Sequence, residues 1–210
     1  MKIVGGVILA VLVVFGVGAC SAGVWAKNAY NDLVSQSEAV DSQIGQVQNV
    51  YQRRNDLLPN VAKTVSAYAK HEKGVFVGVA EMRAKVGQTN INLAGQNLTA
   101  ENLAKFQQMQ GEIGSFLSRL MVVSERYPEL QASGLFRDLQ TQVEGAENRI
   151  AVERKKYNEI AQGYNTKLKR FPGNLVAGYF SFKEKPYFQA EKGADKVPVL
   201  NFGDEPAEKR

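Results

Sequence analysis

Three features of the sequence predict an all-α protein. Apolar residues recur at threes and fours, the helical period, along residues 30–51, 100–124 and 134–169. No pair of alternating polar–apolar runs flanks a tight turn, so no β-hairpin is expected. The chain also opens on Ile3–Ala26, which holds no charged residue across 24 positions. As a helix that run rises about 36 Å, enough to cross a bilayer core of roughly 30 Å. The expected architecture is an N-terminal transmembrane or signal helix, then an elongated antiparallel four-helix bundle, then an extended tail. The corresponding divisions are 1–27, 28–182 and 183–210.

The N-terminal run has competing readings. A plain transmembrane helix fits its length, with Trp25 as an interfacial anchor between the flanking charges Lys2 and Lys27. An ordinary cleaved secretory signal fits less well, because the apolar stretch exceeds the usual h-region. Val17-Gly18-Ala19-Cys20 resembles a bacterial lipobox, which implies cleavage before Cys20 and diacylation of its sulfur. Cys20 is therefore the candidate lipid-attachment residue. Lys2 and the amino terminus favour a cytoplasmic N-terminal side, which places the bundle outside the cytoplasmic membrane.

Beyond the anchor, Tyr30, Val34, Val40, Ile44, Val47 and Tyr51 form one apolar stripe, and no Gly-Pro break separates it from the membrane run. Pro59 lacks an amide proton and disfavours helix at Leu58, so a boundary or kink is expected there, with Asp56 as cap of the next helix. That helix is expected over 59–86, with a polar patch at Lys70–Lys73. A glycine-bearing loop follows, over 87–97. Thr99 is a suitable N-cap for a helix over 100–124, and Tyr127–Gln131 is expected to close it as a turn. Heptad-like steps then run from Phe136 to Leu168, the pattern of coiled-coil and antiparallel bundle packing. Phe171-Pro172-Gly173-Asn174 ends that helix. Leu175–Phe182 is a short helix or docked segment. Tyr187, Phe188 and Val197–Phe202 are candidates to pin the tail to the bundle, and Gly203–Arg210 is expected to fray.

Composition excludes several function classes. Hydrophobic residues make up 44% and charged residues 22%, ordinary globular values. The formal charge of +5 is dispersed among acids instead of gathered in a stripe, so a nucleic-acid site is not expected. One cysteine and one histidine cannot supply an intramolecular disulfide or a four-ligand zinc site. His71-Glu72 lacks the second histidine of a metalloprotease helix, and neither a nucleophile elbow nor a phosphate-binding loop is present. No catalytic residue, cofactor or metal is expected.

Two polar clusters stand out on helical segments. One is Gln52-Arg53-Arg54-Asn55-Asp56; the other is Glu144, Glu147, Asn148, Arg149, Glu153 and Arg154. Antiparallel packing would bring Arg53, Arg54 and Asp56 against Glu147, Arg149, Glu153 and Arg154. The set is either a structural charge network or a patch that recognises a partner protein.

Ordered motifs over about residues 28–202 resemble the LemA family. They include Tyr51-Gln52-Arg53-Arg54-x-Asp56-Leu57-Leu58-Pro59-Asn60-Val61, then Tyr68-Ala69-x-His71-Glu72-Lys73. Further on come Ala146-Glu147-Asn148-Arg149-Ile150-Ala151-Val152-Glu153-Arg154-x-x-Tyr157-Asn158, Tyr164-Asn165, Phe171-Pro172-x-Asn174, Pro186-Tyr187-Phe188 and Val199-x-Asn201-Phe202. Departures occur at Gln43–Gln46, where members often carry a tryptophan, and at Val75–Gly78. The resemblance implies a bacterial envelope protein, anchored at its N-terminus and carrying an elongated four-helix domain. It supplies no catalytic residue. It implies roles in envelope maintenance, association with membrane proteases or, in one branch, magnetosome formation. The expected function is that of a non-catalytic scaffold or adaptor for partner envelope proteins. The alternative is a homo-oligomer that shapes or tethers membrane by acting on lipid directly.

Overall fold

A computed structural model of the chain describes residues 2–68, 81–82 and 91–189. All the regular structure among them is helical, in the order α1 (Lys2–Tyr68), a 3-10 turn (Gly95–Asn97), α2 (Ala100–Ser124), α3 (Pro128–Ala132), α4 (Gly134–Lys169) and α5 (Gly173–Tyr179). The N-terminal part of α1 is long and apolar enough to cross a membrane, and Leu12, Val13, Val14, Phe15, Val17 and Val24 are exposed on it. It fits a membrane anchor. The same helix continues without interruption into the folded core.

The long pair α1 and α4 runs antiparallel. Asp32 meets Lys167, Gln43 meets Glu153 and Arg54 meets Glu147, so partner numbers fall on α4 as they climb on α1. Helix α2 runs alongside α1 in the same direction, with Tyr51 on Phe106 and Arg54 on Gln110.

The core has two parts. The anchor-proximal cluster joins Val40, Ile44, Val47 and Tyr51 of α1 with Leu103 and Phe106 of α2, and with Ile150, Tyr157, Ala161 and Tyr164 of α4. The distal cluster joins Leu58, Val61 and Val65 with Ile113, Phe116, Leu117 and Leu120, and with Phe136, Leu139 and Val143. These are largely the stripes that the sequence shows. Leu33, fully buried, was missed by the stripe through Tyr30 and Val34, of which Tyr30 is exposed.

The structure corrects two expectations. Helix α1 passes through Pro59 to Tyr68, so there is no helix boundary at Leu58 and Asp56 is not a cap. A helix-interior proline costs about 3 kcal/mol. Burial of Leu58, Val61 and Val65 on the same stripe offsets it at roughly 1.5–3 kcal/mol each. Residues 127–131 are not only a turn: Pro128 opens the short helix α3. Proline suits that first position, because its missing N–H would have no helical partner there and its φ is already set.

Other expectations match closely. Thr99 Oγ1 accepts the Asn102 amide at 3.1 Å, capping α2. The 87–97 loop is described from Ile91, and Gly95 sits at φ +57, a conformation that favours glycine. Most of the expected 59–86 helix beyond Tyr68, including Lys70–Lys73 with His71 and the apolar positions Val75, Val79 and Val86, lies outside the described residues. So do Gly87–Asn90 and the tail from Ala190, including Val197–Phe202.

Candidate functional site

The two core clusters are separated by a polar layer built on Arg54. Its side chain is 3% exposed, among the most buried cations a helix can carry. Nη1 donates to Glu147 Oε1 at 2.9 Å, and Nη2 donates to Gln110 Oε1 at 2.7 Å and to the Gln110 carbonyl at 2.8 Å. The guanidinium also lies 5.1 Å from the centre of the Tyr51 ring. Three helices are thus tied at one level. Gly114 makes the room: a Cβ there would lie 3.2 Å from Nη1. Among the described residues, Arg54 Nε and Oδ1 of the neighbouring Asn55 are buried without a hydrogen-bond partner.

Between α2 and α4 the surface over this layer is grooved. Two adjoining depressions, of about 820 and 480 Å³, share Arg54, Gln110, Gly111, Ser115 and Glu147 as walls. Ser118, Glu144 and Asn148 line the first, and Gln107, Gln108 and Arg154 the second.

The polar residues singled out by sequence divide accordingly. Arg54 and Glu147 meet. Arg53 is exposed, and Asp56, also exposed, accepts from Gln52 on its own helix at 2.7 Å. Arg149 points to solvent. Glu153 takes Gln43 Nε2 at 2.7 Å and pairs with Lys156 at 2.8 Å; these two partners hold its carboxyl below the usual range. Arg154 donates to the Gln189 carbonyl at 2.7 Å and covers the Phe188 ring. Cys20 is exposed on the apolar part of α1.

As expected, Phe188 pins the tail, buried against Tyr157, whereas Tyr187 is exposed; the polar clamp that holds the same segment was not foreseen. After α5 the chain turns through Ser181 and runs as an extended strap, 182–189, back along α4. Asn165 donates to the Lys185 carbonyl at 2.8 Å and accepts the Lys185 amide at 2.9 Å. Asn158 treats Phe188 the same way, at 3.0 and 2.9 Å. Tyr164 and Tyr157 donate to the carbonyls of Lys183 and Pro186. Seven helical residues rise about 10.5 Å and three extended ones about 10 Å, so two Tyr-Asn pairs at heptad spacing match a strap read every third residue. Each asparagine replaces the neighbouring strand that an isolated extended segment lacks. Lys185 Nζ, almost buried, reaches Asp41 at 2.8 Å and ties the strap to α1 as well. The seven-residue repeat of Tyr157-Asn158 in Tyr164-Asn165 was the available signal, and it reads as packing unless the strap is known.

The resolved shifts in proton affinity all lead away from neutrality. Burial pushes the phenols of Tyr51, Tyr157 and Tyr164 up, with Asp41 adding to the last two. Hydrogen bonds lower Glu101 and Glu153 and raise Lys169. A general acid or base works best near the operating pH, and none of these groups is moved toward it. Among the described residues, no three His, Cys, Asp or Glu side chains converge as a metal site.

The profile of the LemA family matches residues 43–202, from the α1 stripe through the strap and beyond. This chain belongs to the LemA family. Among its relatives are magnetosome protein MamQ 2 of Paramagnetospirillum magneticum, 28% identical over 81% of this chain and 68% of that protein. MamQ of Magnetospirillum gryphiswaldense is 26% identical with the same coverage. Protein LemA of Metamycoplasma hominis is 22% identical over 77% of this chain and 69% of that protein. The family match spans both the Arg54 layer and the strap.

Proposed function

We propose that this LemA-family chain is a non-catalytic, membrane-anchored envelope protein that serves as scaffold or adaptor for partner membrane proteins, with its bundle outside the cytoplasm. The observation that carries this reading is the continuity of α1 from the apolar run into both core clusters. A bundle built on its own anchor is held at a fixed height and orientation, which suits a platform. The groove over the Arg54 layer is the partner surface. Its walls offer neutral amides and hydroxyls beside the Glu144 and Glu147 carboxylates, while Arg54 itself is consumed internally. Relatives named as magnetosome proteins support a structural role at a membrane.

The test is site-specific photo-crosslinking in intact membranes, with the crosslinker at Ser118 or Glu144 in the groove and at Arg137 outside it. Discrete protein adducts from the groove positions, absent at Arg137, are expected. Groove positions that yield no adduct above the Arg137 control would overturn the adaptor reading.

A further inference from the structure

We infer that the turn-and-helix segment 171–182 is a second membrane contact, seated in the lipid headgroup region beside the anchor. Phe171-Pro172-Gly173-Asn174-Leu175-Val176-Ala177-Gly178-Tyr179-Phe180-Ser181-Phe182 contains no charged residue. Its inward face is accounted for, since Val176 and Ala177 are buried in the anchor-proximal core. Its outward face is apolar too. Phe171, Leu175 and Tyr179 follow at steps of four and are 73, 60 and 84% exposed, with Phe180 at 50% beside them. A short surface helix in water carries polar residues on its outer face; this one carries aromatics and a leucine.

The height of the segment identifies what covers it. Phe171, Pro172 and Gly173 share one cleft of about 340 Å³ with Trp25 and Asn28, at the end of the apolar run. The Phe180 ring lies 4.6 Å from that of Tyr30, only five residues, or about 7.5 Å, beyond Trp25. The polar zone of a bilayer leaflet is about 5–7.5 Å deep, so the cleft beside Trp25 lies within it and the Phe180–Tyr30 contact at its outer edge. The surrounding charge agrees. Lys27, Lys167, Lys169, Arg170 and Lys183 lie at this end, against Asp32 and Glu184, which pair with Lys167 and Lys169. Aromatic rings are enriched at both membrane–water interfaces, and the neighbouring cations suit anionic lipid headgroups. The bundle is thereby fixed at two points, α1 through the bilayer and 171–182 upon it, which resists rotation about α1.

This inference rests on residues 3–26 being a membrane anchor, and the experiment separates the two. The full chain with Cys20→Ser is placed in bilayers of phosphatidylcholine and phosphatidylglycerol. A single cysteine at Val13, Tyr179 or Glu144 carries an environment-sensitive fluorophore, and spin-labelled lipid is the quencher. The Tyr179 label is expected to be quenched several-fold more than the Glu144 label and to emit further to the blue. Quenching at Val13 with Tyr179 indistinguishable from Glu144 would overturn the second contact and leave the anchor standing. Loss of quenching at Val13 as well would overturn both. In a second measurement on the full chain in bilayers, Leu175→Glu with Tyr179→Glu is expected to speed amide exchange over 171–182 and to leave exchange around Leu58–Val65, in the distal cluster, unchanged. Unchanged exchange in a helical, folded variant contradicts the contact.

Discussion

The Arg54 layer and the strap clamp are both buried polar constellations, but they work by different physics. Around Arg54, charge is taken out of water to tie three helices at one level, and the match is incomplete: among the described residues Arg54 Nε and Asn55 Oδ1 find no partner. Along the strap, neutral amides satisfy the backbone of a segment with no strand beside it, and both asparagines are used as donor and acceptor. Buried ion pairs return little net stability, and here a shift by one turn would strand the Arg54 charge away from Glu147 and Gln110. Amide clamps return stability in the ordinary way of hydrogen bonds and fix where a segment lies. The first device sets how α1, α2 and α4 slide past one another. The second sets where the tail runs.

This contrast can be broken at its strongest point by Glu147→Ala, which leaves the buried Arg54 cation without its counter-charge and should cost about 3–5 kcal/mol in chemical denaturation. Arg54→Met should cost less, about 1–3 kcal/mol, because Glu147 is 44% exposed and can turn to water while only Gln110 loses its partner. If Arg54→Met proves the costlier of the two, the layer is not a desolvated charge held by its partner. On the strap, Asn165→Leu removes two bonds and leaves the Lys185 backbone unmatched. It should cost about 2–4 kcal/mol and release the strap to amide exchange. Asn165→Asp keeps the acceptor but sets a buried carboxylate against the Lys185 carbonyl, and at pH 7 should cost at least as much as Asn165→Leu.

Alkaline pH acts on both constellations, through Tyr51 beside Arg54 and through Tyr157 and Tyr164 on the strap, and variants of the strap pair tell them apart. Tyr157 and Tyr164 hold their protons more tightly folded than unfolded. Their contribution is complete below about pH 10, where both states are protonated, and it is lost as pH climbs beyond that value. Thermal melts should therefore fall above about pH 10, and Tyr157→Phe with Tyr164→Phe should flatten the decline while lowering stability at pH 7 by about 0.5–1.5 kcal/mol per lost bond. A decline of equal steepness in the double variant would assign it elsewhere.

The smallest expected effect is at Ser181. It closes α5 in the left-handed region at φ 58, with Phe182 N donating to the Ala177 carbonyl at 2.9 Å and Ser181 N to that of Gly178 at 3.3 Å. Glycine is the usual residue at this position of such a cap. Ser181→Gly should stabilise by up to about 1 kcal/mol, read as a small rise in melting temperature.

Much of the fold was legible in the sequence because periodic burial writes itself into periodic composition. Thr99 and the stripe from Leu103 to Leu120 located α2, and Phe136 to Tyr164 located α4. The meeting of Arg54 with Glu147 was readable once antiparallel packing was assumed, since both lie on the apolar faces of their helices. Pro59 misled because its local penalty is visible in the sequence while the burial that offsets it is tertiary. Gln110 was not singled out, since its chemistry depends on facing Arg54 and its type does not announce it. Phe188 announced that the tail docks, but the clamp that holds it was hidden for the same reason. Asn158, Asn165, Asp41 and Lys185 look like solvated residues of polar helices and a tail, and only the fold places them together. The outward face of α5 was visible as an aromatic run, but its height beside Trp25 was not.

The central claim is that one rigid helix joins the anchor to the bundle, so that the platform stands at a fixed height. Hydrogen–deuterium exchange over residues 20–40 of the full chain in lipid bilayers tests it most directly. A continuous α1 predicts slow exchange throughout, with the amides from Lys27 to Asp32 as protected as those around Val40. Fast exchange confined to 27–32, between a protected span and a protected core, would show a flexible tether there and contradict the account.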